Sequence, residues 1–189
     1  MDNMNLSKKY KEKFGHLEGV KSLGWGSVYS QQKRFDILLD IGVDINDSVL
    51  DVGCGYGDFS KDFVNYLGID LREDAITMAK NKYSDVKFEL KSIYDIDDTY
   101  DWVFASGIFC FINNWEETEG IIEKMFNTSK KGISFNFLSD LTTKEKLSDM
   151  KYTKIEEVLP IIYKLTNKFT IRHDYLINDF TIYLYKHAT

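Results

Sequence analysis

Val49-Leu50-Asp51-Val52-Gly53-Cys54-Gly55-Tyr56-Gly57-Asp58 is the stretch on which the fold turns. Val49 to Val52 is short and mostly β-favouring, and reads as a buried strand. Glycines then fall at every second position, where the chain can take backbone angles closed to other residues and pass close to a ligand. Phe59 to Val64 predicts a helix after the turn. Asp58 stands where a strict G-x-G-x-x-G dinucleotide fingerprint has its last glycine. An acidic side chain beside a pyrophosphate is unfavourable unless it points away.

Outward from this stretch the same rhythm repeats. Tyr66 to Asp70 predicts a second strand and Glu73 to Asn81 a helix. Val86 to Leu90, Trp102 to Ala105 and Gly132 to Leu138 predict three more strands, with a helix over Glu116 to Asn127. Buried parallel strands joined by crossover helices give this alternation, because both faces of such a sheet must be covered. Phe169 to Arg172 and Phe180 to Lys186 predict an antiparallel C-terminal pair. Along the second of these, Ile182, Leu184 and Lys186 share one face, opposite Tyr183 and Tyr185. Leu159 to Leu165 has helical character, with Pro160 leaving the boundary open. Upstream, a helix is predicted from Ser30 or Gln31 to Leu39 and is ended by Gly42. Before it, Leu23 to Tyr29 reads as an aromatic loop.

Asp70 lies 17 residues after Gly53, at the predicted end of the second strand. A carboxylate there can accept hydrogen bonds from two vicinal ribose hydroxyls, and Leu71 can pack on an adenine face. The glycine turn also suits a ligand bearing an amino-acid group and a sulfonium cation. In these positions the chain resembles the class I S-adenosylmethionine-dependent methyltransferases. Leu50 to Gly57 matches the first family motif, and Gly68-Ile69-Asp70-Leu71 the acidic one. The resemblance continues at Phe88 to Ile93 and Tyr100 to Gly107, covering roughly residues 30 to 138. It implies a Rossmann-like, mostly parallel seven-stranded sheet with helices on both faces, and S-adenosyl-L-methionine as cofactor. By the same resemblance Asp51, Gly53, Cys54, Gly55 and Gly57 hold the methionine portion and Asp70 grips the ribose. Ser92 and Ile93 border the adenine, and Ala105 and Ser106 approach the methionine end. Ser92 replaces the family's usual acidic residue, although a serine oxygen can still accept a hydrogen bond.

For the acceptor, residues 1–35 are read as a cap over the active site of a single domain spanning 1–189. This cap places Tyr10, Trp25 and Tyr29 near the reactive methyl, with Trp25 facing the sulfonium or simply anchoring a loop. Arg34 resembles a basic residue that meets the cofactor's carboxylate in some relatives; a solvent-facing role on its helix is the alternative. Phe109 is expected to line the acceptor pocket, and Cys110 to pack. Asn136, late in its strand, and Tyr175 are further candidates, with Asp179 behind them. His173 can act as a base if it lies within hydrogen-bond distance of the acceptor, or can be a strand-end histidine. Asp174 faces the other way and forms no dyad with it.

Composition fits these expectations. The chain has 189 residues, 43% hydrophobic and 15% aromatic with one proline, which is globular composition. Its 24 basic against 30 acidic residues give −6, which argues against a nucleic-acid footprint over the whole surface. Two cysteines support no disulfide framework, and His16, His173 and His187 are too scattered for a metal. A polar N-terminus and the lack of a long apolar run predict a cytoplasmic protein with no membrane partner. The predicted activity is methyl transfer to an oxygen or nitrogen of a small-molecule acceptor, with a protein substrate as a further option. Against it stand an NAD-dependent oxidoreductase and a catalytically silent cofactor-binding or structural protein.

Overall fold

The computed structural model describes residues 13, 14, 22, 24 and 26–186. Seven strands form one sheet: β1 (Ser48–Val52), β2 (Asn65–Asp70), β3 (Lys87–Leu90), β4 (Tyr100–Ala105), β5 (Ser129–Leu138), β6 (Phe169–Arg172) and β7 (Asp179–Tyr185). Their order is β3-β2-β1-β4-β5-β7-β6. The first five run parallel, and β7 is antiparallel to both β5 and β6. This is the mostly parallel sheet that the alternation predicts, in the Rossmann-like form that the resemblance implies. Among the described residues no helix is long and apolar enough to cross a membrane.

Among the described residues four complete α-helices cover the sheet: α1 (Val28–Leu39), α2 (Glu73–Lys82), α3 (Trp115–Thr128) and α4 (Ile155–Leu165). Strand alternation sorts the side chains into two cores. Val52, Ile69, Val103, Phe135 and Ile182 meet Ile122 and Met125 of α3 and Val158 and Ile162 of α4. Val49, Tyr66, Trp102, Phe104 and Tyr183 meet Phe35 and Leu38 of α1 and Ile76 and Ala79 of α2. Both faces of β7 are therefore buried. Tyr183, on the face opposite Ile182, donates its hydroxyl to the backbone oxygen of Ile37. Helix α1 begins two or three residues before its predicted start, because Ser27 and Ser30 cap each other reciprocally. Residue 35, the predicted end of the cap, falls inside this helix. In α4, Pro160 lies within the helix instead of bounding it.

The connection from β1 to β2 corrects a prediction. In place of a helix over Phe59 to Val64 there is one 3-10 turn, Asp58–Asp62, and Phe63 is already extended. Gly57 has φ 77°, so the chain is still turning there, and β2 begins at Asn65. Little chain remains for a second helical turn. Phe59 instead fills this face of the sheet, with its ring 4.9 Å from Phe35 and 5.2 Å from both Phe63 and Phe104.

Candidate active site

Sequential strands run outward from β1 toward β3, and the chain then returns to place β4 on the other side of β1. At such a switch point the strand ends leave a crevice. Here it is a cavity of about 550 Å³, lined by the β1 turn, the ends of β2, β4 and β5, and side chains from α1, α3 and β7.

At the β1–β2 end the glycine turn is tightly specified. Gly53 and Gly55 have φ of 77° and 56°. A Cβ on Gly53 would overlap Ile108, and one on Gly57 would overlap the Phe88 ring. The turn's amides point inward: Gly53 and Cys54 both donate to the Ile69 oxygen, at 2.8 and 3.0 Å, and Gly57 donates to Cys54. Gly55 donates to Asp70 Oδ2 at 2.9 Å. The turn thus offers a ligand close approach but not these four donors, a point its glycine spacing does not disclose. Asp58 points away from the cavity, where it pairs with Lys82 and accepts from the Tyr83 hydroxyl at 2.9 Å.

Two carboxylates stand behind this turn. Asp51 is 4% exposed, and its Oδ2 accepts from the Tyr66 hydroxyl at 2.6 Å. Burial raises its carboxyl to about 7; the Tyr66 hydrogen bond opposes that rise and the Asp70 charge adds to it. Asp70 also accepts from the Arg72 amide at 2.9 Å, while the Arg72 guanidinium pairs with Asp74. Burial raises the Asp70 carboxyl too, against the pull of these two backbone donors. Leu71, Ser92 and Ile93 continue the lining from this end. Ser92 caps the short turn Ile93–Asp95, with its oxygen accepting from the Tyr94 amide at 3.3 Å.

The β4–β5 end is built from distant parts of the chain. Arg34 of α1 forms a bidentate, buried ion pair with Asp179 of β7, Nε to Oδ1 at 2.7 Å and Nη2 to Oδ2 at 2.5 Å. Asn136 accepts from the Gly107 amide at 2.8 Å and its amide nitrogen lies 3.4 Å from Ser106 Oγ, fixing the β4 turn to β5. Cys110, Phe111, Leu138 and Met150 also line this end. Burial pushes the Cys110 thiol up to about 12, so it is not a thiolate nucleophile. Phe14 meets the Phe111 ring edge-on at 5.9 Å, Lys13 pairs with Asp149, and the Lys151 amide donates to Cys110 at 2.9 Å. The loop after β5 and the described part of the N-terminal segment thus close on the same wall.

The predicted site residues divide accordingly. Asp51, Gly53, Cys54, Gly55, Asp70, Leu71, Ser92, Ile93, Ser106, Arg34 and Asn136 share this one cavity. Gly57, Ala105 and Phe109 are not on its lining: Gly57 packs against the Phe88 ring, Ala105 is fully buried, and Phe109 turns into the core between Phe135 and Phe137. The neighbouring Cys110 and Phe111 take the lining position instead. His173 hydrogen-bonds Ser139 at 2.7 Å beside a separate shallow depression that Tyr175 shares. The Tyr175 hydroxyl meets Thr181 at 2.8 Å, and Asp174 pairs with Arg172. Tyr29 is 71% exposed. Tyr10 and Trp25 lie outside the described residues. Glu117, Ile121 and Met150 are lining residues that the sequence reading misses. The helical spacing of Glu117 and Ile121 signals a shared face but not which face.

A family model described as a methyltransferase domain matches residues 44–168. Among solved structures the chain is similar to magnesium protoporphyrin IX methyltransferase (ChlM) from Synechocystis PCC 6803 with bound S-adenosylhomocysteine. The two are 13% identical over 98% of this chain and 100% of that one, with a TM-score of 0.72. The N-methyltransferase NodS from Bradyrhizobium japonicum WM9 is also 13% identical, over 85% and 98% of the two chains, with a TM-score of 0.64. An S-adenosylmethionine-dependent methyltransferase from Mesorhizobium loti is 11% identical over 82% and 98%, at a TM-score of 0.63. At these identities the likeness is one of fold. A search of curated proteins finds no match.

Proposed function

The chain belongs to the class I S-adenosylmethionine-dependent methyltransferase family, and from that premise we propose that it methylates an oxygen or nitrogen of a small-molecule acceptor. The observation that carries this reading is the inverted polarity of the glycine turn. A dinucleotide pyrophosphate is held by backbone N–H groups directed at it. Here four turn amides are spent within the protein, and two carboxylates, the buried Asp51 and the half-buried Asp70, face the cavity. That arrangement suits a ligand with a cationic amino-acid end and ribose hydroxyls, and it speaks against a nicotinamide cofactor.

When bound, the cofactor supplies an electrophilic methyl on a sulfonium. Asp51 would face its amino group, and Asp70 would accept from the ribose hydroxyls with the lone pairs that Gly55 and Arg72 leave open. Leu71, Ser92 and Ile93 would border the adenine. At the other end, Phe111, Leu138 and Met150 exclude water, and Asn136 and Asp179 are polar groups that can orient an acceptor lone pair in line with the methyl. Magnesium protoporphyrin IX and the NodS substrate belong to those proteins; what this chain shares with them is the fold. A cavity within the usual range of roughly 300–1,000 Å³ must hold both, which favours a small acceptor. The arrangement works by positioning, and His173, outside the cavity, has no part in it.

Calorimetry with S-adenosylmethionine and with NAD tests the cofactor; binding of NAD alone would end the proposal. Incubation with labelled methyl donor and a metabolite extract then tests transfer. Label appearing on small molecules is expected, whereas label confined to protein would move the acceptor class.

A further inference from the structure

The inference rests on the cofactor reading above and concerns how the buried acid of the glycine turn is prepared. Asp51 and Tyr66 lie on adjacent parallel strands, two residues out of register, since Tyr66 pairs with Val49 and Asp51 with Gly68. The Tyr66 ring is fixed: it stacks on Phe63 at 6.0 Å and meets Phe88 edge-on at 5.9 Å. Its hydroxyl donates to Asp51 Oδ2 at 2.6 Å. The ionisable groups acting on Asp51 are Tyr66 and Asp70 from β2 and Cys54 from the turn; Phe104 of β4 lies beside it in register. All are neutral or acidic. Among the described residues the cationic side chains lining the same cavity are each paired elsewhere, Arg34 with Asp179, Arg72 with Asp74 and Lys91 with Glu89. Asp51 is therefore, among the described residues, a buried carboxyl on the cavity wall whose hydrogen-bond partner is a neutral hydroxyl, and a cationic ligand would bring the positive charge that these neighbours do not supply.

We propose that Tyr66 is a positioning residue for the cofactor's amino group, holding one oxygen of Asp51 so that the other meets the ammonium as the Asp51 proton leaves to solvent. The balance is simple. On the acid side of its titration the carboxyl of the empty site keeps its proton; when a substituted ammonium docks, the acid becomes a carboxylate, one proton goes to bulk water, and a buried ion pair remains. Burial among neutral and acidic neighbours raises the carboxyl to about 7, so the exchange falls in the neutral range. Below that pH each bound ligand must displace a proton, and affinity drops by about tenfold per pH unit. Above it the acid is already ionised and the dependence flattens. The Tyr66 hydrogen bond favours the ionised form, so its removal moves the whole profile to higher pH.

The experiment is titration calorimetry with S-adenosylhomocysteine, which keeps the amino group but not the methyl. Each titration is run in two buffers of different ionisation heat across the neutral range, so that released protons are counted. The wild-type protein should release close to one proton per ligand on the acid side and almost none on the alkaline side. Tyr66→Phe should bind about tenfold more weakly at neutral pH, as loss of a hydrogen bond to a charged group predicts, and should release its proton at higher pH. Asp51→Asn, a permanently neutral near-isostere, should bind weakly with no proton release at any pH, and covers the case in which Tyr66→Phe fails to fold. Ligand binding without proton release in the wild type overturns the inference and leaves the cofactor reading standing. So does unchanged affinity and linkage in a folded Tyr66→Phe, or proton release that survives in Asp51→Asn. Failure of the wild-type protein to bind S-adenosylhomocysteine at any pH overturns both.

Discussion

At the β1–β2 end of the cavity, Asp51, Gly53, Gly55 and Asp70 come from a single stretch, residues 51 to 70, and are held by backbone hydrogen bonds. At the β4–β5 end, Arg34 and Asp179 are 145 residues apart and are held by each other. The first end is a local device whose geometry is set by backbone angles; the second is an assembly whose geometry is set by packing. Damage to the first should show as lost ligand binding in a folded protein. Damage to the second should show first as lost stability, because its polar groups are buried where water cannot replace a missing partner.

The largest separation should come from Gly53→Val. A β-branched side chain at φ 77°, overlapping Ile108, would close the turn to any ligand. S-adenosylhomocysteine binding should vanish in calorimetry while far-ultraviolet circular dichroism keeps its helical signal; retained binding would mean that the turn is not the donor's cradle. Next is Arg34→Ala, which leaves Asp179 buried without its bidentate partner and should cost about 3–5 kcal/mol in urea denaturation. The Asp179 carboxyl is raised mainly by burial, with Arg34 pulling it back, so removing Arg34 raises it further. A raised carboxyl is destabilised as pH rises through its folded value and relieved as pH falls below it. The deficit of Arg34→Ala should therefore shrink on acidification, and a deficit that grows instead would contradict the pairing.

A neighbouring pair sharpens the contrast within one turn. Phe109→Ala opens a hole between Phe135 and Phe137 and should cost about 3–5 kcal/mol. Phe111→Ala, on the cavity wall, should cost less stability and raise the KM for the acceptor with cofactor affinity unchanged. Equal effects of the two on KM would erase the distinction between core and lining. The smallest effect belongs to His173→Ala, which loses the hydrogen bond to Ser139, about 1 kcal/mol, and should leave the methyl-transfer rate and its pH profile intact. A collapse in rate would place the base at His173 after all.

The sequence discloses these regions unequally, and the reason is physical. The strands and their alternation are legible because a buried parallel sheet requires apolar runs at spaced intervals; Phe169–Arg172 is found at its predicted bounds. The donor end is legible because glycine spacing and a strand-end carboxylate are local patterns. Even there, the inward direction of the amides depends on the Ile69 carbonyl one strand away. The turn at Asp58–Asp62 is misread as a helix because Phe59 and Phe63 have helical spacing, yet both rings serve the aromatic cluster beside Phe104. At the acceptor end, Phe109 and Phe111 are indistinguishable by type; only the 3-10 turn they share decides which enters the core. No sequence pattern joins Arg34 to Asp179 or removes His173 from the cavity, because both depend on where β7 lies in the sheet.

That placement of β7 between β5 and β6 also sets an order of construction. A ribosome makes the chain from its N-terminus, so β5 emerges early and keeps an open outer edge while the loop, α4 and β6 follow. Among the described residues strand β6 pairs only with β7, and so it cannot dock before it. Until Asp179–Tyr185 is made, the nascent protein therefore carries a ten-residue edge strand, Ser129–Leu138, of the kind that recruits other chains. When β7 slots in, it seals that edge and delivers Asp179 to Arg34 in one event. The β1–β2 end of the cavity can form before β7 is made, whereas the β4–β5 end closes only once β7 has been added.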